Sequence, residues 1–167
     1  MLIQITVKNL AIVDSLELVF NSGLSVLTGE TGAGKSILID ALSLVLGDRA
    51  DPSLVRNGAQ RADITACFDL KHQLEVIKWL NDNDLSDESN EKECILRRAI
   101  NQNGRSKGYI NGQVVPLQLL RELGEQLINI HGQNSHQQLL HHQNQRLLLD
   151  DHAQLTQLNK ELNSVFL

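Results

Sequence analysis

The chain has 167 residues, 41% hydrophobic and 21% charged, with a net charge of −5 and a sequence pI of about 5.6. A chain of this size can bury a core without disulfide staples, and nothing in its acidic balance points to nonspecific nucleic-acid binding, so any DNA contact needs a local basic patch. With aromatics at 3%, that core is expected to be mainly Leu, Ile, Val and Ala. Cys67 and Cys94 lack a C-x-x-C spacing and read as reduced, strand-borne small hydrophobes of a cytosolic protein. The N-terminus shows no signal-peptide pattern, and no apolar run approaches membrane-spanning length.

Taken in order, Leu2–Lys8 alternates with period two and predicts a strand, broken at Asn9. Ala11–Val13 and Leu16–Phe20 predict a second extended run, closed by the turn Asn21-Ser22-Gly23. Leu24–Thr28 reads as a short buried strand. It delivers Gly29-Glu30-Thr31-Gly32-Ala33-Gly34-Lys35-Ser36, a complete G-x-x-x-x-G-K-[ST] motif, into a helix predicted over Ile37–Leu46 and stopped by Gly47.

Strand, glycine-rich loop and helix make a phosphate site. Gly29, Gly32 and Gly34 lack Cβ, so the backbone can curl tightly and turn its N–H groups toward an anion. The helix adds its unpaired N–H groups and the positive end of its dipole. Lys35 is expected to reach the β- and γ-phosphates, and the Ser36 hydroxyl to ligate Mg²⁺. The expected nucleotide-binding set is Gly29, Glu30, Thr31, Gly32, Ala33, Gly34, Lys35, Ser36 and Ile37, with ATP and Mg²⁺ as cofactors.

Beyond the motif, Gly47–Pro52 reads as a loop, Arg61–Leu70 as a strand and Leu74–Leu80 as a short helix. Asn81–Lys92 carries Asn, Asp, Ser and Glu with almost nothing apolar and predicts an exposed, mobile loop. Glu93–Ile100 and Ser106–Ile110 predict a hairpin, and Asn111-Gly112 a further hairpin turn. Arg97, Arg98, Arg105 and Lys107 crowd this hairpin. They read either as contacts for DNA phosphates or as a solvated sheet face. Pro116 suits the first turn of a helix over Leu117–Glu125, and Gln126–Ile130 reads as a strand leading to His131-Gly132-Gln133.

From about Gln143 the pattern turns helical. Leu148, Leu155 and Leu162 are spaced by heptads, with Leu158 and Val165 between, as at the start of a coiled coil or on an ordinary amphipathic helix. Nothing caps this helix before Leu167, which suggests a chain cut from something longer. The expected domains are therefore 1–142 for a globular lobe and 143–167 for the root of the coiled coil.

A P-loop ATPase also needs an acidic residue for Mg²⁺ and a group that orients the attacking water. Leu147-Leu148-Leu149-Asp150-Asp151 has the h-h-h-D form, but its flanks continue the helix, so the helix-surface reading is preferred. Gln133, in a Gly-containing turn after a predicted strand, is the better candidate to reach Mg²⁺ or the lytic water. His131, His136, His141, His142 and His152 lack zinc-site spacing and read as solvated or hydrogen-bonded.

Several separated motifs together resemble one family. They are the opening Leu2–Val13, Thr28–Ser36, Gly47-Asp48-Arg49-Ala50, Gly104–Gly112 and Ile130-His131-Gly132-Gln133. They resemble the N-terminal part of the RecN family of bacterial DNA repair, SMC-like members of the ABC ATPases, over essentially the whole chain. The resemblance implies an α/β P-loop NTPase fold: the N-terminal lobe of an ABC/SMC-type ATPase head, with an antiparallel β-subdomain and the start of a coiled coil. It implies Lys35 and Gln133 as catalytic residues, Gln133 being the Q-loop match, and Ser36 with Gln133 at Mg²⁺. It implies recombinational repair of DNA double-strand breaks, with DNA met through the intact protein. The implied partners are the protein's own C-terminal lobe and a second copy, joined through heads or coiled coil, in the cytoplasm at the nucleoid. The chain departs from the family in lacking an L-S-G-G-like stretch and a convincing Walker B strand, so ATP hydrolysis is expected only with the C-terminal lobe. Two readings compete: a self-contained small P-loop NTPase or kinase using Asp150 or Asp151 for Mg²⁺, and a non-catalytic interaction module.

Overall fold

The computed structural model describes residues 1–28, 35–87 and 89–128, together with Leu149, Ala153, Leu155 and Leu162. The chain divides into two compact units, Met1–Asn129 and Ile130–Leu167, and the expected boundary at 142/143 lies outside the described residues.

The first unit is built on one antiparallel sheet of six strands. These are β1 (Leu2–Leu10), β2 (Val13–Val19), β3 (Arg61–Asp69), β4 (Glu93–Asn101), β5 (Ser106–Ile110) and β6 (Gln113–Val115), in the spatial order β2-β1-β3-β4-β5-β6. Three helices complete it: α1 (Lys35–Val45), α2 (Leu74–Asp82) and α3 (Leu117–Leu127). The period-two pattern of the strands gives the sheet two distinct faces. On one, the registered rows Leu18, Ile5, Ala66, Leu96, Ile110 and Leu16, Val7, Ile64, Arg98, Gly108 run across the strands. α1 packs on β1, β3 and β4 here, and α3 packs on β5. On the other face run Glu17, Thr6, Thr65, Arg97, Tyr109 and Val114. The helices share the core through their apolar stripes: Leu38, Ala41, Leu44 and Val45 of α1, and Leu120, Leu123, Gly124 and Leu127 of α3, are buried.

Turn chemistry follows the sequence closely at the β5–β6 hairpin. Asn111 (φ +47°) and Gly112 (φ +81°) both take the left-handed conformation of a two-residue type I′ turn. The Asn111 side chain does more than tolerate that geometry. Its Oδ1 accepts from the Ile95 N–H (2.9 Å), and its Nδ2 donates to the Leu85 carbonyl (2.8 Å).

Three expectations need correction. Leu24–Thr28 is not a buried strand: it pairs with none of the described strands, and Leu24 and Val26 are 94% and 75% exposed. A strand exists only where a neighbour takes its backbone N–H and C=O groups, and the antiparallel sheet gives it no place. Gln126 and Leu127 belong to α3 and not to a strand, because the buried Leu120, Leu123, Gly124 and Leu127 continue the helical period; Ile128 is the first extended residue. The acidic loop is not wholly exposed, since Leu85 is buried and its carbonyl is held by Asn111.

In the second unit, Leu149 is helical and its carbonyl accepts from the Ala153 N–H at 3.0 Å, an i→i+4 bond. At Leu149 this geometry is helical and not that of a strand, whereas Leu155, a heptad position of the expected helix, is not helical.

Candidate nucleotide site at the start of α1

α1 begins at Lys35, so the last two residues of the glycine-rich motif are its first two helical residues. The first turn of any α-helix leaves its N–H groups without intrahelical partners, and the macrodipole makes that end positive. Here the first turn carries no acidic side chain. A lysine and an exposed serine hydroxyl therefore stand at the helix end whose N–H groups have no intrahelical partners. That donor set fits a polyphosphate with Mg²⁺: the cation and the N–H groups suit phosphate oxygens, and the hydroxyl is a hard oxygen ligand. Ile37 is half-buried and packs against the core, so any share it takes in binding falls to its backbone N–H. Gly29, Glu30, Thr31, Gly32, Ala33 and Gly34 lie outside the described residues, as do Gln133, Asp150, Asp151 and the histidines from His131 on. Among the described residues no cluster of His, Cys, Asp or Glu is arranged to hold a metal ion.

The far end of α1 is as closely built. Gly47 (φ +104°) closes the helix: its N–H donates to the Leu44 carbonyl (3.2 Å), and the Asp48 N–H donates to the Ser43 carbonyl (3.0 Å). This is a Schellman termination with glycine at its left-handed position. The Asp48 carboxylate accepts from Nη2 of Arg121 on α3 at 2.8 Å.

The four basic residues of the hairpin do not share a surface. Arg97 lies on the open face, where its guanidinium forks onto the Asp63 carboxylate (Nη2–Oδ2 3.1 Å) and lies 5.1 Å from the centre of the Tyr109 ring. Arg61 reaches the same carboxylate at 2.7 Å. Arg105 and Lys107 are exposed. Arg98, one residue along the strand, points to the opposite face and is 1% exposed. It is withdrawn from any surface role in DNA contact, because period-two alternation sends neighbours to opposite sides of a sheet. Its Nη2 reaches the Ser106 hydroxyl (3.1 Å) and the Asp48 carbonyl (3.4 Å). Burial pushes the pKa of Arg98 down, and the charge of Asp48 draws it partly back.

Sequence reasoning missed Arg98, Asp48 and Arg121 as a group. The one available signal was an arginine standing on the inward register of an otherwise apolar strand.

The family described as an AAA domain matches residues 4–166. The DNA repair protein RecN of Vibrio cholerae is 50% identical over 153 residues, covering 92% of this chain and 27% of that protein. RecN of Haemophilus influenzae is 48% identical over 153 residues, again with 92% and 27% covered. The chain thus spans about a quarter of the length of these relatives. A solved structure from work on ATP-driven dimerization and DNA-stimulated activation of SMC ATPases superimposes with a TM-score of 0.61. It is 21% identical, with 90% of this chain and 98% of that one covered, and this likeness shows the fold: that of an SMC-type ATPase head lobe.

Proposed function

From the premise that this chain belongs to the AAA domain family, we propose that it is the ATP-binding lobe of an SMC-like ATPase head that works in the repair of DNA double-strand breaks. One observation carries the reading: the G-x-x-x-x-G-K-S motif ends in the first turn of α1, with Lys35 and Ser36 as the first two helical residues. Lys35 is assigned to the phosphates and Ser36 to Mg²⁺. When bound, Mg²⁺ neutralises charge building on the phosphate oxygens. Gln133 is assigned to Mg²⁺ or the attacking water. The role in DNA repair rests on the similarity to RecN proteins.

The proposed partners follow from what the lobe leaves open. Leu24, Val26 and Leu27 form an exposed apolar segment leading straight to the motif, and a strand here needs neighbours from elsewhere. The remaining three quarters of the protein are the proposed source, in the form of its own C-terminal lobe. Pairing of two heads, contact with DNA in the intact protein, and a place in the cytoplasm at the nucleoid belong to the same reading. No described helix is long and apolar enough to cross a membrane.

The test compares ATP turnover by the protein at its full natural length with turnover by this chain and by the full-length Lys35→Ala variant. The reading predicts turnover in the first and little or none in the other two. Equal rates in the chain and the full-length protein would contradict it, as would a full-length Lys35→Ala protein as active as wild type.

A further inference from the structure

Arg98 is the one buried charged side chain among the described residues, and it stands in a row otherwise made of Leu16, Val7, Ile64 and Gly108. Two of its nitrogens, Nε and Nη1, find no hydrogen-bond partner among the described residues. A buried guanidinium left half-satisfied is costly, and an apolar side chain of similar volume would commonly stabilise the fold as well or better. Stability therefore gives no account of it, and its position does. The guanidinium lies at the C-terminal turn of α1, where the negative end of the helix dipole favours a cation and where it holds the Asp48 carbonyl.

The same turn is pressed from the other side by α3. A Cβ on Gly47 would lie 2.8 Å from the Arg121 backbone nitrogen, and a Cβ on Gly124 would lie 2.7 Å from the Leu46 carbonyl oxygen. Backbone thus meets backbone at two glycines, with Arg121 fastened to the Asp48 carboxylate above. A Cβ on Gly108, beside Arg98 in the register, would lie 2.9 Å from Leu120 Cδ2, so α3 also sits hard against the sheet at this point. The three elements β4, α1 and α3 are pinned together at one end of α1.

We propose that Arg98 is a positioning residue for the nucleotide site: by holding the C-terminal turn of α1 against β4 and α3, it fixes the axis of the helix whose other end carries Lys35 and Ser36. This rests on the nucleotide reading above. The lever is long enough to matter. Eleven residues at 1.5 Å each make α1 about 16 Å long, so a tilt of about 4° at the pinned end carries Lys35 about 1 Å. An error of that size degrades a preorganised site severely, with rate losses of about 100-fold on record for 1 Å misplacements.

The experiment uses the protein at its full natural length in four variants: Arg98→Met, Arg98→Lys, Gly124→Ala and, as a control in the core of α2, Val76→Ala. Two quantities are read: amide hydrogen exchange across Leu38–Leu44 without nucleotide, and the dissociation constant for ATP with Mg²⁺ by titration calorimetry. Arg98→Met and Gly124→Ala are expected to speed exchange in α1 and to weaken ATP binding about tenfold, the loss of roughly one charge-assisted hydrogen bond. Arg98→Lys keeps the cation without the planar fork and is expected to recover part of both. Val76→Ala is expected to lower the melting temperature while leaving both readouts at wild type. Unchanged exchange and affinity in Arg98→Met would overturn the proposal, as would equal shifts in both quantities from Val76→Ala. A wild-type protein that binds no ATP would instead defeat the nucleotide reading, and the exchange measurement would still decide whether Arg98 pins α1.

Discussion

Two stretches of this chain look alike on paper and fold differently. Both read as extended sequence next to turns: Glu93–Val115 alternates apolar with polar residues, and Leu24–Thr28 is short and mostly apolar. The first becomes β4, β5 and β6, with its residues registered across the sheet. The second has no strand geometry and exposes Leu24, Val26 and Leu27. The difference is not propensity but supply of partners. Each strand of the hairpin finds its neighbour a few residues away, whereas a strand before a P-loop has neighbours only if distant sequence brings them. The antiparallel sheet is self-sufficient, and the segment leading into the glycine-rich motif is not.

The sharpest way to break this comparison is to remove one side chain from each region. Phe68 is fully buried on β3, so Phe68→Ala is expected to cost about 3–5 kcal/mol of unfolding free energy. Val26→Ser, at a position 75% exposed, is expected to change stability of the chain by no more than about 0.5 kcal/mol. Denaturant titration of both variants measures the contrast, and a large loss from Val26→Ser would mean that the segment is packed after all.

Cys94 probes the packed region chemically. Burial among apolar side chains, aided by nearby Cys67, pushes its thiol pKa up to about 12 from an ordinary 9.0. The folded state therefore holds the proton more tightly than the unfolded chain. The stability this brings is complete below about pH 9 and is lost as pH rises from there toward 12. Cys94 should thus resist alkylation at pH 8 until the protein unfolds, and a Cys94→Ala variant should show a shallower loss of stability in alkali. Rapid native-state labelling of Cys94 would show that the sheet opens locally.

A smaller effect separates the two faces. Arg97 is partly exposed and paired with Asp63, and Arg97→Met is expected to cost no more than about 1 kcal/mol, diminishing with added salt. A larger, salt-independent loss would show that the open face is covered.

How far the sequence carried this picture follows from the same division. The strands, α1, α2, α3 and the Asn111-Gly112 turn were legible because their signals are local: alternation, helical period, and residues suited to positive φ. Gly47 as the stop of α1 was legible for the same reason. The fate of Leu24–Thr28 was not, because a short, mostly apolar run reports that burial is wanted and not where the cover comes from. The end of α3 was misread at Gln126-Leu127, where Gln-Leu-Ile-Asn-Ile reads as a strand by itself, although Leu127 continues the buried stripe of Leu120, Leu123 and Gly124. Arg97 and Arg98 were grouped as one basic patch because composition sees charge and ignores the face. Of the candidate site, Lys35, Ser36 and the helix start were readable from the motif, whereas the pinning of the other end of α1 depends on contacts of Gly47 with Arg121, Leu46 with Gly124 and Asp48 with Arg98, far apart in the chain.

The central claim, that the start of α1 is a nucleotide site, is tested most directly by titrating the full-length protein with ATP in the presence of Mg²⁺, beside Lys35→Ala. The account predicts saturable binding to wild type and at least about 100-fold weaker binding to the variant, the loss of one or two charge-assisted hydrogen bonds to phosphate. Equal affinities for the two proteins, or no binding by either, would contradict it.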